Sequence, residues 1–393
     1  MQRTWRTLLS TILVGACVGG CQPAPSATSI PQATSSAGPA TPAPGGASAQ
    51  PAGSISRVGR LASLRAAHTA TTFADGRVLI AGGCIEESCE GITASTELLD
   101  PATGASTRGP DMLQPRVDQA AVPLPDGRVL MIGGFQQGTE TASTELFDPA
   151  TNTFSAGPNL LEPLADPVAI VLRDGSVLVG GGFGNHASIA SAELLDPGLT
   201  AFRSTGSMST PRSSHGGALL PDGRVIVVGG NTRGDTGRVL ASAEVYDPLT
   251  GTWSATGGMS VPRHKLAVIG LADGRVLVLG GSNDQDAFGR YRSAEIYDPA
   301  VGTFTPTGDM AARRYKVSGA VVRLGDGRVL VAGGSRSAEV YEPVAGSFER
   351  VPGDVDAGFN FSAAARLADG SVLISGGYDA GIHLTDQILR FVP

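Results

Sequence analysis

Seven Gly-Gly pairs close short apolar runs in this chain, beginning at Gly82, Gly133, Gly181, Gly229, Gly280, Gly333 and Gly376. Their spacings are 51, 48, 48, 51, 53 and 43 residues. Unrelated glycines would not recur at so narrow a period, so one supersecondary unit has been copied seven times. Each copy extends one continuous core, and the 393 residues need no division into several globular domains. An apolar fraction of 41% with 17% charged residues supplies enough material for that core.

The fifth unit shows the internal plan most fully. An apolar run from Leu266 reaches Asp273-Gly274, a second run leads to Gly280-Gly281, and after a loop come Ser293 to Pro299 and Gly302 to Met310. Four short strands result. Asp-Gly between two apolar runs is a strong two-residue hairpin signal, because both residues tolerate positive φ. The pair recurs at Asp75, Asp126, Asp174, Asp222, Asp326 and Asp369. The run after it, such as Val276 to Leu279, is apolar at consecutive positions, which implies a strand covered on both faces. No stretch among the repeats keeps a helical period with caps. The expected fold is all-β: a seven-bladed propeller of four-stranded antiparallel blades packed radially. The strand before each Asp-Gly should be innermost, since Thr69 to Thr72, Gly216 to Leu219, Ser318 to Val321 and Ser362 to Ala365 are rich in small residues. The last unit lacks a fourth strand. Ile55 to Arg65 aligns without gaps on Trp253 to Arg263, so a strand near Ile55 to Val58 should complete that blade and close the ring.

The Gly-Gly pairs, the segments Ser242 to Pro248 and Ser293 to Pro299, the aromatic at Trp253 or Phe304, and the spacing from Met259 to Arg263 together resemble the kelch family of β-propellers. The likeness runs over nearly all of 55–393. Departures are Ala105 in place of the aromatic, no Arg near Leu164 in the third unit, and Leu389-Arg390 where others carry Tyr-Asp.

Ahead of the repeats, Arg3 and Arg6 precede a mainly apolar segment from Leu8 to Val18, an export signal too short to span a bilayer. Cys17 and Cys21 each follow small residues, as in the cleavage site of bacterial lipoproteins. Cleavage before Cys21 leaves Cys84 and Cys89 as an even pair, and so 1–20 reads as the signal peptide and Cys21 as the lipidated residue. Residues 21–53 read as a disordered linker, uncharged from Gln22 to Gly53 with seven prolines, and 54–393 as the propeller. The expected location is outside the cytoplasm of a bacterium, periplasmic or at the cell surface, with the anchor as sole membrane contact. Resemblance to Gram-negative lipoproteins implies the outer membrane, because Gln22 rather than Asp follows the anchor. The formal charge of −7 argues against nucleic acid as a partner.

Parts repeated in every unit read as scaffold. Glu97, Glu145, Glu193, Glu244, Glu295 and Glu339 fall on third strands, away from the axis, and the Arg of each Asp-Gly-Arg, such as Arg77, should pair with an acid near Asp100. Functional candidates lie in the loops between second and third strands, which differ from unit to unit: His186, Arg233, Asp235, Asp284, Asp286, Arg290, Tyr291 and Arg292. Cys84 and Cys89, separated by four residues in the first of these loops, should form a disulfide. Copper-radical oxidases related to galactose oxidase share such a propeller, but none of His68, His186, His215, His264 and His383 follows a tyrosine, and no metal-ligand spacing is found. No residue is assigned as catalytic, metal-ligating or cofactor-binding, and no cofactor is implied. The reading is a non-catalytic binding or scaffolding module with a protein or glycan partner at the loop face. The alternative is a cofactor-free sugar mutarotase or epimerase, as in some periplasmic kelch proteins. Cys21→Ser should abolish detergent partitioning and the diacylglyceryl mass of the mature protein; the same loss in Cys17→Ser would move the anchor to Cys17.

Overall fold

The computed structural model describes residues 52–232, 237–353 and 360–393. The expected signal peptide, Cys21, and the site candidates Arg233 and Asp235 lie outside these residues. Seven four-stranded antiparallel sheets are arranged as blades of a propeller. Blade 1 takes Thr69–Thr72, Val78–Ala81, Thr96–Leu99 and Ser106–Arg108, in that order from the axis outwards. Inner strands of successive blades pack on one another around the axis. Every residue of each second strand is buried, as the consecutive apolar runs require. In blade 6 the small-residue run departs from expectation: Ser318–Ala320 turn as a 3-10 helix and the inner strand starts at Val321. Its partner Val329–Val331 is short and offers fewer ladder positions to hold those residues extended.

Blade 7 is completed by the N-terminal strand Ser54–Arg60, antiparallel to Gln387–Val392 with Ile55 opposite Phe391. Ile55, Leu389 and Phe391 then share one apolar cluster with Leu330, Val340 and Val351 of blade 6, so the closing strand is packed into the ring.

Each Gly-Gly pair has positive φ at both residues in blades 1 to 5 and 7, a conformation that disfavours side chains. Space gives a second reason. A Cβ on Gly82 would lie 2.6 Å from the Arg116 carbonyl oxygen of the next blade. That close approach lets the Gly83 N–H donate to the Arg116 carbonyl at 2.9 Å, and Gly182, Gly230, Gly281 and Gly377 do the same to Arg212, Arg263, Arg314 and Arg65.

The recurrent glutamates are structural. Arg65–Glu97, Arg116–Glu145, Arg212–Glu244, Arg263–Glu295 and Arg314–Glu339 pair at 2.7–2.9 Å, with each Arg side chain 0% exposed. The same guanidinium donates to the Gly-Gly carbonyl of its own blade, as Arg65 does to Gly82 at 3.1 Å. The carboxylate meanwhile accepts N–H groups of the connecting segment, as Glu97 does from Ala62 and Ser63. The pair thus pins the strand-linking segment to its blade and satisfies buried polar groups that would otherwise be costly.

The Asp-Gly-Arg arginines behave differently from the sequence expectation. Arg77 does not reach Asp100; its N–H and Nε bond the Asp75 carboxylate of its own turn at 3.0 and 2.8 Å. Asp100 is occupied with Ala102 N–H and the Thr103 hydroxyl. In blade 7, where Ser371 replaces the Arg, Arg390 comes from the third strand to Asp369 and Ser371. It also reaches the Pro101 carbonyl of blade 1, as Arg77 reaches Pro149 of blade 2. The cation is kept although its position in the chain has moved.

Blade 3 carries Leu164 in place of the pairing Arg, and Glu193 is buried with an N–H from Leu161 at 2.9 Å. Burial first, with Glu162 adding repulsion, raises its carboxyl above the usual range. A carboxyl raised in the folded state holds its proton better there, so its ionisation costs stability as pH rises. Glu193→Gln should therefore raise the unfolding midpoint at pH 7, the gain vanishing as pH falls below the carboxylate range. Glu295→Gln should act in the opposite direction by about 3–5 kcal/mol, because Arg263 stays buried without its anion. Denaturant titration of both variants at pH 7 and pH 4 checks the pair of signs.

Candidate functional site

Two residues after the paired arginine, each connecting segment turns down into its inner strand. The seven residues at this point are Ala67, Asp118, Asp166, Ser214, Lys265, Lys316 and Phe361, and all have φ between 50° and 58°. A left-handed conformation at a non-glycine residue carries strain of roughly 1 kcal/mol or more, so something must hold it. Bonds between neighbouring blades do so. Ala67 N–H donates to Phe361 at 2.9 Å, Phe361 to Lys316 at 3.2 Å, Lys316 to Lys265 at 2.9 Å and Lys265 to Ser214 at 2.8 Å. Asp166 donates likewise to Asp118 at 2.8 Å. Between blades 3 and 4 a side chain takes over: Ser214 N–H and hydroxyl both donate to Asp166 Oδ2, at 2.9 and 3.0 Å.

This girdle surrounds a cavity of about 400 Å³ on the axis, at the end where the loops between second and third strands gather. The size is that of a small-molecule site. Phe135, Phe183, Phe361 and Tyr378 give it an aromatic wall. Burial first, then the nearby charges of Glu87 and Asp118, raises the Tyr378 phenol so that it stays protonated.

The residue after the girdle position lies just ahead of the inner strand, and in blades 1, 2 and 4 it faces the preceding blade. His68 Nε2 meets the Ser375 hydroxyl at 2.9 Å and Gln119 donates to the Ala81 carbonyl at 3.0 Å. His215 faces the Gly180 carbonyl without meeting hydrogen-bond geometry. These three side chains are more than nine-tenths buried and line the cavity, and His68 Nδ1, Gln119 Oε1 and both His215 nitrogens have no partner. Burial, with Arg65 and Arg212 as lesser causes, lowers His68 and His215 to about 3.

The sequence-derived candidates do not converge on this cavity. His186 is exposed at the tip of a small hairpin between Phe183–Gly184 and Ala187–Ser188. Asp284 is exposed, and Arg292 pairs with Asp309 at 3.0 Å on the surface. Arg290 lies over the Tyr315 ring and Tyr291 lies under Arg263. Asp286 alone turns inward, buried, and accepts from Lys265 Nζ at 3.0 Å. Burial would raise it, but Lys265 and Lys316 outweigh that and hold its carboxyl below the usual range. Cys84 and Cys89 are bonded, with Cα atoms 4.8 Å apart, and both line the cavity.

The girdle escapes a reading of loops because it lies outside them. A signal was nevertheless present: the three residues after the recurrent arginine read Ala-Ala-His, Val-Asp-Gln, Ser-Ser-His, His-Lys-Leu and Tyr-Lys-Val from 66, 117, 213, 264 and 315, a short variable stretch behind a repeated residue. Variation inside a repeated frame marks where the copies were released from a common role.

A family model described as Kelch motif matches residues 212–260, which run from the paired Arg212 of blade 4 through the start of the next unit. The seven-bladed propeller carries a kelch motif. Kelch-like protein 7 of Rattus norvegicus and of Mus musculus is 33% identical to it over 87 residues, 22% of this chain. The matched stretch spans 14% of the length of those relatives. A fungal alcohol oxidase of the AA5 family, solved in complex with copper, superposes with a TM-score of 0.56 at 19% identity. That match covers 83% of this chain and 62% of the oxidase, and it is a likeness of fold.

The cavity residues do not fit a copper-radical centre. The two cysteines are bonded to each other, leaving neither thiol for a tyrosine crosslink, and His68 and His215 bury their rings against different blades. No group of three metal-binding side chains occurs among the described residues. No chemistry through copper follows from this donor set.

A base lowered in the folded state gives stability that is complete above its unfolded value, about 6.5, and is lost as pH falls towards about 3. The propeller should therefore weaken over this window more than its carboxylates alone require. His68→Gln with His215→Gln, copying the glutamine of blade 2, should flatten that part of the curve of unfolding midpoint against pH.

Proposed function

We propose that this protein is a non-catalytic binding module that receives a small polar ligand in the axial cavity, and that it works outside the cytoplasm on a lipid anchor at Cys21. The observation that carries the binding reading is the girdle itself. Seven equivalent positions in a copied frame bear unlike side chains, Ala, Asp, Asp, Ser, Lys, Lys and Phe, where they ring an open cavity. The buried Arg–Glu pairs that serve the fold recur in five of the blades. Binding suits the kelch motif at 212–260 as well. A catalytic reading finds less support in the imidazoles, since a base held at about 3 abstracts protons poorly at neutral pH. The anchor rests on residues 1–21. No helix among the described residues is long and apolar enough to cross a membrane.

Ser318 is exposed and lines the cavity, so Ser318→Trp should fill it without disturbing the core. Thermal-shift screening of a panel of sugars, amino acids, nucleotides and short peptides should give at least one stabilising ligand for the wild type and none for Ser318→Trp. Ligands that stabilise both proteins equally would place binding elsewhere.

A further inference from the structure

Midway along the inner strands stand Ala70, Ala121, Ala169, Gly217 and Ala364, with valines in blades 5 and 6. Each is only half-buried, although it lies at the centre of the propeller. Side chains this small do not fill the axis between seven strands, and solvent reaches it. Ala70, Thr71, Ala121 and Ala364 line both the girdle cavity and a second hollow of about 420 Å³, so the two meet on the axis. The second hollow opens at the end of the Asp-Gly turns, where Arg323 and Arg366 finish the inner strands of blades 6 and 7.

These two arginines leave a surplus of positive charge on that rim. Arg323 Nη1 donates to the Gly270 carbonyl of blade 5 at 3.3 Å, and Arg366 Nη2 lies over Gly325 of blade 6, 3.1 Å from where a Cβ would stand. The turn carboxylates of the same two blades are engaged elsewhere, Asp326 with Arg328 at 2.8 Å and Asp369 with Arg390 and Ser371. No carboxylate among the described residues pairs with Arg323 or Arg366. Both side chains are exposed, and an exposed guanidinium alone holds a small hydrated anion weakly. Behind them the walls are apolar, with Pro123, Ile269, Val321, Val322 and Ala364 around the hollow. Covering wetted apolar surface of this kind is favourable.

We propose that this mouth binds single-chain alkyl anions, the acidic head held by Arg323 and Arg366 and the tail laid along the axis past Ala364 towards Ala70 and Ala121. Each half of such a molecule answers one half of the site. A small anion leaves the walls wet, an alkyl alcohol leaves the arginines without a counter-charge, and an alkyl ammonium is repelled by them. Inner strands of four residues at about 3.3 Å each give about 13 Å of lumen, room for a tail of medium length. The site lies at the opposite end of the axis from the girdle and does not depend on the polar ligand proposed for that cavity.

Calorimetric titration of the whole protein with butanoate, hexanoate, octanoate, octanol and octylammonium tests this. Each methylene taken out of water should tighten binding about four-fold, so octanoate should exceed hexanoate by about 16-fold. Octanol should bind about ten-fold more weakly than octanoate, and octylammonium more weakly still. The double variant Arg323→Gln with Arg366→Gln should bring octanoate to the level of octanol. Ala70→Leu, placed where the two hollows meet, should reduce the gain from longer tails; the wild-type series decides alone if that variant folds poorly. Ser318→Trp fills the girdle cavity and should leave octanoate binding unchanged. Equal affinity for octanoate and octylammonium, no gain with tail length, or no binding of any alkanoate overturns the proposal. Loss of octanoate binding in Ser318→Trp, with none in the arginine variant, also overturns it and moves the tail to the girdle. A failed screen for polar ligands of the girdle cavity leaves this test intact.

Discussion

Everything in this ring depends on how one connecting segment crosses from blade to blade. It must leave an outer edge, pass over a buried strand end and start a new inner strand while keeping its polar backbone satisfied. The glycine pair makes room for it, and the buried arginine fixes it. The arginine carbonyl takes an N–H from the preceding blade, while its guanidinium and the third-strand glutamate bind its own blade. One residue therefore couples three parts of two blades. Such a buried ion pair need not be more stabilising than an apolar substitute, and blade 3 shows that the crossing survives without it. With Leu164 in the arginine's place, the Gly134 N–H still finds the Leu164 carbonyl at 2.7 Å. The backbone bond is the indispensable element, and the ion pair fixes the register around it.

The same crossing explains why the site stands where it does. Forcing the chain to descend sharply after the arginine places one residue per blade in the left-handed region. Hydrogen bonds to the neighbouring blade offset that strain. Those bonds are mostly backbone to backbone, so the left-handed turn does not by itself dictate which side chain stands there. Asp166 is the exception, because its carboxylate replaces a missing backbone link to Ser214. Specificity can then be written on the girdle without rewriting the fold.

The fold was legible because its signals are local chemistry repeated many times. Asp-Gly turns, doubly buried second strands and the gapless match of Ile55 to Arg65 on Trp253 to Arg263 each follow from short-range constraints. The error over Arg77 came from counting strand partners without asking whether the turn itself could claim the side chain, which Asp75 does. The site was less legible for a related reason. Long loops rich in charge, such as the one from Asp284 to Arg292, look like recognition surfaces, yet several of their groups serve Arg263, Tyr315, Asp309 and Lys265. What bounds the cavity is a short variable stretch behind the recurrent arginine. Its meaning appears only when seven copies are brought face to face.

The direction of the closing strand has a geometric consequence. Ser54–Arg60 runs towards the cavity end, because Arg60 leads into the first crossing segment and Ser54 lies opposite Val392 at the far end. The chain preceding residue 54 therefore joins the propeller on the side of the Asp-Gly turns. A tether attached there would leave the ring at the face opposite the mouth of the cavity. The cavity mouth and the point of attachment would then not compete for the same face.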